Sequence, residues 1–249
     1  MEHLQRMITD LVYVHVARPD AAEEFNAAAR RFIASYKDFP PECEHKLFIV
    51  FCNGDPTPEM LSIYDGVQYM PRSYNGGGMD IGAQQYTTRT TNGDFVVSVN
   101  SRVFFYRAGW LRRIVECRIE NGPGIYGTMA SFEGCPLGQV WPNPHLRTAC
   151  YGMDSKLWLE FPHTVQSRED SFRFESGEWN IANWCEANGY RAMLSSWGGC
   201  WDRKDWRKVP HGFRTGNQSN CLVWDRHTEI FFSNPAVQPH LEGLANGTP

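Results

Sequence analysis

Three short runs of β-forming apolar residues, Leu11–Val16, Leu47–Phe51 and Phe95–Val99, each end abruptly at a polar turn. Continuous apolar runs of this length suit strands buried on both faces, as in a parallel sheet. Between the first two, Phe25, Ala29, Phe32, Ile33 and Tyr36 recur at helical spacing. Asp20 with Glu23 reads as the helix start, and Arg30 and Arg31 follow later, as the helix dipole favours. A short helix is expected over Pro58–Tyr64 and a longer one over Gly109–Ile119, with Trp110, Leu111, Ile114 and Val115 inward and Asn121-Gly122-Pro123 as its stop. Strand and helix in alternation specify an α/β fold with a Rossmann-like, mostly parallel central sheet flanked by helices. The second half is denser in Trp, Tyr and Gly, which suits a smaller mixed sheet with long loops shaping a cleft, although a buried aromatic core would read the same way.

The turns carry the functional interest, because open α/β sheets bind ligands at the carboxyl ends of their strands. The second strand runs into Phe51-Cys52-Asn53-Gly54-Asp55-Pro56, and Asn, Gly, Asp and Pro also favour turns for backbone reasons alone. The third ends in Asn100-Ser101-Arg102. Between them lies Ser73-Tyr74-Asn75-Gly76-Gly77-Gly78-Met79-Asp80-Ile81-Gly82-Ala83, whose glycines would let backbone approach a ligand and whose Gly82-Ala83 could open a helix facing an anion. The spacing is neither G-x-G-x-x-G nor a phosphate loop with its Lys. A glycine-rich surface loop is the plain alternative.

The net charge is -4 with Lys and Arg scattered, so the chain has no basic stripe for phosphate contacts and no nucleic acid is expected as partner. The eight cysteines form no C-x-x-C pair and no zinc spacing, and buried free thiols are the expectation. MEHLQRMITD lacks the apolar core of a signal peptide, and no segment reaches the roughly 20 apolar residues of a membrane span. A soluble, cytoplasmic protein is expected on these grounds. The glycosylation triplets Asn217-Gln218-Ser219 and Asn246-Gly247-Thr248 carry little weight without an export signal.

In this order the motifs resemble those of nucleotide-diphospho-sugar glycosyltransferases with the A-type (GT-A) fold, and are similar to the broad polysaccharide and rhamnan-type transferase family. Val14-His15-Val16-Ala17-Arg18 is similar to that family's first strand and nucleotide-contacting turn, and Asn53-Gly54-Asp55 to its second turn, which holds base or ribose. The loop with Asp80, Gly82 and Ala83 resembles the region beneath the nucleotide. Thr148–Trp158 resembles the strand and helix lining donor sugar and acceptor, and Phe174–Asn180 running to Gly189-Tyr190 the acidic helix start and its helix. The resemblance covers roughly residues 10–230. It implies one domain over 1–249: a nucleotide-binding half, 1–105, an acceptor-binding half, 106–235, and a flexible tail, 236–249.

The implied activity is transfer of a hexosyl or deoxyhexosyl unit from a UDP, GDP or dTDP sugar to a glycan or other hydroxyl acceptor, in polysaccharide biosynthesis. A lipid-linked acceptor would bring the protein to a membrane surface without a spanning segment. Donor contacts are expected from Arg18, Asn53, Asp55, Asp80, Asn100 and Arg102. An inverting transfer needs a carboxylate base, which falls to Glu178 in the first turn of a helix capped by Ser176, with Glu175 as its substitute. His227, in Asp225-Arg226-His227, takes the place of a late His that reaches metal or diphosphate; His145 and Arg147 line the acceptor side. Trp197, Trp201 and Trp206 could stack on sugars, though packing explains them equally well.

The chain departs from the family at one place. Asn100-Ser101-Arg102 stands where Asp-x-Asp usually binds a divalent cation, Mn or Mg, and neutral Asn and Ser are poor ligands for a hard ion. Arg102 could meet the diphosphate directly. The same departure supports an alternative, a carbohydrate or nucleotide-sugar binding protein that has lost catalysis. A sugar-phosphate nucleotidyltransferase would carry a glycine-rich loop with Arg and Lys after the first strand, where this chain has Ala17-Arg18-Pro19-Asp20.

Overall fold

The computed structural model describes residues 7–247. The first six residues of the amino-terminal stretch MEHLQRMITD, Thr248 of the second glycosylation triplet and the last residue of the expected tail lie outside them. Ten strands form one eight-stranded sheet, ordered β10-β9-β5-β8-β4-β1-β2-β3, and a separate antiparallel pair, β6-β7. The parallel core is the expected β1 (Thr9–Val16), β2 (Lys46–Cys52) and β4 (Phe95–Val99), joined at its edge by β3 (Met70–Tyr74), which the sequence pattern does not mark. β8 (Cys150–Asp154) then runs antiparallel between β4 and β5 (Gly124–Gly127), β9 (Arg191–Ser196) pairs parallel to β5, and β10 (Gly199–Asp202) closes the edge. Both halves of the sequence therefore share one sheet. The smaller sheet is β6 (Ala130–Ser131) with β7 (His145–Leu146).

Side chains of β1 alternate between two layers, as a strand's period of two demands. Leu11 and Tyr13 meet helix α1 (Ala22–Asp38), where Tyr13 stacks on Phe32 at 3.7 Å, while Val12, Val14 and Val16 meet Ala83 of α3 (Met79–Thr88). Helix α4 (Trp110–Asn121) buries Trp110, Leu111, Ile114 and Val115 on the α1 side, as its periodicity predicts. On the other side α5 (Ser155–Glu160), α6 (Arg168–Glu175) and α7 (Ile181–Ala187) enclose Trp158, Phe174 and Ile181. His15 is buried and fully bonded: Nε2–H donates to Asn26 Oδ1 at 3.1 Å and Nδ1 accepts from the Tyr64 hydroxyl at 2.7 Å. That tautomer follows from Asn26 Oδ1 being able only to accept.

Several expectations are corrected. Asp20 lies in a 3-10 turn, Pro19–Ala21, and does not cap α1. Helix α3 opens at Met79 with Gly78 at its cap position, three residues before the expected Gly82-Ala83 start. Ser176 closes α6 instead of capping the next helix, which Asn180 caps by accepting from the amides of Ala182 and Asn183. The segment expected as a tail contains α9 (Gln238–Asn246), whose Ala245 is buried in the core. Of the eight cysteines, Cys117 on α4 and Cys200 on β10 form a disulfide, and the other six are free thiols, five of them buried. The edge strands β3, with Pro71 and half-exposed positions, and β10 lacked the long apolar run that marks a central strand.

Candidate active site

Parallel pairing sets the ends of β1, β2 and β4 side by side, and antiparallel β8 brings the residues preceding it to the same edge, with Val99 opposite Cys150. The first two turns interlock. Ala17 N–H donates to the Cys52 carbonyl at 2.7 Å, Asn53 takes a left-handed φ of 63° while its N–H donates to the Tyr74 carbonyl at 3.1 Å, and a Cβ on Gly54 would collide with the Ala17 carbonyl. Only glycine fits there. Asp55 is exposed, and exposed Arg18 pairs with Asp20, Nε to Oδ1 at 3.1 Å.

The third turn is held across the sheet, because Asn100 N–H donates to the Ala149 carbonyl at 2.9 Å. Asn100 Oδ1 accepts from the Arg102 amide at 3.1 Å, so this side chain closes its own turn. Arg102 reaches back to α1, donating to Glu24 at 2.6 Å and lying 5.1 Å above the Phe25 ring. Asp80, in the first turn of α3, meets the Ser101 backbone from below. Burial lifts its carboxyl to about 6, against the opposing pull of the Ser101 bond and Arg102. A carboxyl thus stands beside the turn where the acidic pair was expected, supplied from another element.

Facing these turns is a second group assembled from five places in the chain. Glu175, at the end of α6, accepts from the Thr148 amide at 2.8 Å and from the Thr148 hydroxyl. Burial pushes Glu175 up, but Arg147, His145 and the Thr148 bonds outweigh it and hold the carboxyl below its ordinary value. Glu133 bridges Arg147 at 3.0 Å and Arg214 at 2.7 Å. Burial raises it, yet Arg214 and Arg147 bring it down to about 2. Arg214 is buried, with a left-handed φ of 51° and its amide donating to Gln218 Oε1 at 2.9 Å. The bridge Phe104↔Trp224 ties helix α8 (Arg226–Ser233) to the same edge, and Asp225 caps it.

His227 at this helix start sits between two guanidiniums, Nε2 at 3.2 Å from Arg147 and Nδ1 at 3.2 Å from Arg214. Burial and then Arg147 lower its pKa, and a neutral imidazole has one nitrogen that can accept from either of them. Neither His227 nor Asn100 is a ready ligand for a divalent cation: His227 faces two guanidiniums, and Asn100 Oδ1, the atom that could bind one, closes its own turn and leaves only the amide N–H groups free. His145 is buried and points Nδ1–H at the Asn143 carbonyl, 2.8 Å away.

Glu178 stands apart from this group. Its side chain is 62% exposed and pairs with Arg173 Nε at 3.4 Å, outside any helix. The glycine loop packs against protein: a Cβ on Gly77 or Gly78 would strike the carbonyls of Gln166 or Val165, and one on Gly82 would come within 2.5 Å of the Tyr74 hydroxyl. The tryptophans are packing residues, since Trp206 is buried, Trp201 bonds Ser196 at 2.9 Å and Trp197 bonds Tyr106 at 3.1 Å. Glu133 and Arg214 had no signal in the sequence, each lying in an irregular segment without periodicity.

No family model matches this sequence, and no curated protein matches it. Solved structures do. One is a provisionally assigned glucose-1-phosphate thymidylyltransferase from Bacillus anthracis in complex with sucrose, with a TM-score of 0.50 and 12% identity over 97% of this chain and 96% of that one. The likeness is one of fold. HddC from Yersinia pseudotuberculosis matches 64% of this chain and 82% of its own at 11% identity, with a TM-score of 0.43.

Proposed function

We propose that the protein binds a nucleotide-diphospho-sugar and transfers its glycosyl unit to a hydroxyl acceptor. The observation that carries the reading is the convergence, at the carboxyl edge of the parallel strands, of three polar turns with the Glu175, Arg147 and His227 group. Asn53, Asp55 and Arg18 would take base and ribose, and Asp80, Asn100 and Arg102 the ribose and diphosphate. In the transfer step the acceptor oxygen attacks the anomeric carbon, its proton passes to a carboxylate, and the anomeric carbon–oxygen bond breaks with its electron pair leaving on the nucleoside diphosphate. Glu175 is the base we favour over Glu178, because it stays ionised beside Arg147 and Thr148. Arg147 and Arg102 would meet the departing charge through guanidinium hydrogen bonds. No step is assigned to a metal, in keeping with the donor set.

The test is thermal unfolding against UDP, GDP, dTDP and CDP sugars, each with manganese and with chelator, followed by product analysis. A ligand that binds only the folded state raises the midpoint with concentration. A shift from one nucleotide series, insensitive to chelator, with nucleoside diphosphate released in the presence of acceptors, is the expected result. Asn100-Ser101-Arg102, with no acid at either end, favours one second reading, a binding protein without turnover, which would give the shift and no product. Formation of nucleoside triphosphate from pyrophosphate would instead assign nucleotidyl transfer and refute the proposal.

A further inference from the structure

A groove of about 320 Å³ lies along α3, lined by none of the residues of the Glu175 group. One wall is aromatic: Tyr74 and Tyr86 lie 5.6 Å apart, ring centre to ring centre, and Tyr86 is 42% exposed. Thr164, Val165 and Gln166 line the groove too, with the Val165 and Gln166 carbonyls against the glycines. That backbone is fixed by Gln85, itself 1% exposed, whose Nε2 donates to the His163 carbonyl at 2.9 Å and whose Oε1 accepts from the Val165 amide at 3.0 Å. Gly76, Gly77 and Gly82 also line the groove, and side chains at Gly76 or Gly82 would displace the Tyr74 ring. The glycine loop thereby has a physical purpose: it seats a tyrosine against the groove. Arg89, exposed and three residues after Tyr86 on α3's C-terminal side, lines the groove as well, and among the described residues no carboxylate lies within ion-pair distance of it.

An aromatic face beside a rigid slot offers a pyranose ring its apolar C–H side, and a free guanidinium offers a planar carboxylate or a phosphate two parallel hydrogen bonds. We infer that this groove is a binding subsite for an acidic saccharide unit, its ring against Tyr86 and its anionic group on Arg89. The chemistry differs from that of the donor turns, where the charged group is expected between Arg102 and Arg147. The inference stands whether or not the protein transfers sugars. If it does, the groove holds a more distant residue of the glycan acceptor, because Tyr74 at its head is bonded to Asn53 of the donor turn.

Binding is measured by saturation-transfer NMR and calorimetry on the full chain, with trigalacturonic acid, trigalactose and glucose 6-phosphate as probes. Trigalacturonic acid is expected to bind at millimolar to sub-millimolar concentration and trigalactose more weakly. Arg89→Gln should weaken the acidic probe roughly tenfold and leave the neutral one unchanged, as loss of one charged pairing predicts. Tyr86→Ala should weaken both. Both positions are exposed, and melting curves of the variants check folding. Tighter glucose 6-phosphate than uronic acid, again lost in Arg89→Gln, would keep the acidic saccharide and name phosphate as its anion. No binding of any acidic probe, or binding that ignores both substitutions, overturns the inference. So does displacement of the probe by nucleoside diphosphate with the same Arg89 dependence, since the groove would then belong to the donor site.

Discussion

Reducing the Cys117–Cys200 bridge should lower the melting temperature by a margin set by chain entropy. The bond joins α4 to the edge strand β10 across a sequence separation of 83 residues. Closing such a loop removes about 15 cal/mol/K from the unfolded chain, or about 4.5 kcal/mol at 25 °C. A chain of this size loses roughly 2–4 °C per kcal/mol, so reduction should cost about 9–18 °C. Scanning calorimetry of the oxidised protein, the reduced protein and Cys200→Ser measures it; Cys200 is the better site because Cys117 is wholly buried. Thiol titration in denaturant should count six thiols before reduction and eight after, matching the six free cysteines. Eight thiols before reduction would remove the bridge itself. Six thiols with an unchanged melting temperature would refute the entropy reasoning while keeping the bond.

Acid should destabilise the protein in two windows. His15 is lowered by burial from 6.5 to about 4, so the unfolded chain takes up a proton that the native state refuses, and stability falls as pH drops from 6.5 toward 4, by about 3 kcal/mol. His45, His145 and His227 are lowered as well and add to the slope; a denaturation midpoint that stays flat across this window contradicts the buried neutral histidines. Glu133 has the opposite chemistry and the same sign: its paired form contributes above 4.5 and the contribution is lost as pH falls toward 2, which Glu133→Gln should abolish at a cost of about 3 kcal/mol at neutral pH. Gly54→Ala should destabilise by about 1–3 kcal/mol, read from urea midpoints, because its methyl would meet the Ala17 carbonyl, and should also erase any nucleotide-dependent melting shift. Glu175→Gln should lower turnover by roughly 10²–10⁴ per folded molecule, with Glu178→Gln near wild type; the reverse ranking in a direct transfer assay would return the base to Glu178.

The central strands were legible in the sequence because their signal is local. Phe95–Val99 is β4 to the residue, and Leu11–Val16 and Leu47–Phe51 fall within β1 and β2, since a strand buried on both faces writes an unbroken apolar run into the chain. The turns were legible too, as Asn53 and Gly54 have backbone requirements that few residues meet. Helix starts were harder. Asp20, Gly82 and Ser176 all have the right residue chemistry for their expected places, yet packing set the boundaries at Ala22, Met79 and Ile181.

What the sequence determined by itself is the alternation of strand and helix, the inward faces of α1 and α4, and the polar character of the strand ends; these rest on periodicity and turn chemistry within a few residues. Tertiary structure alone decided that Glu133, Arg147, Arg214 and His227 form one network, that Asp80 rises beneath Ser101, and that Glu175 turns inward while Glu178 faces water. It also decided that Cys117 meets Cys200 and that the triple glycine serves Tyr74. The reason is topological. The antiparallel insertion of β8 between β4 and β5, and the Phe104↔Trp224 bridge, bring residues distant in the chain to one sheet edge, and no local pattern in the chain records which distant partner will arrive there.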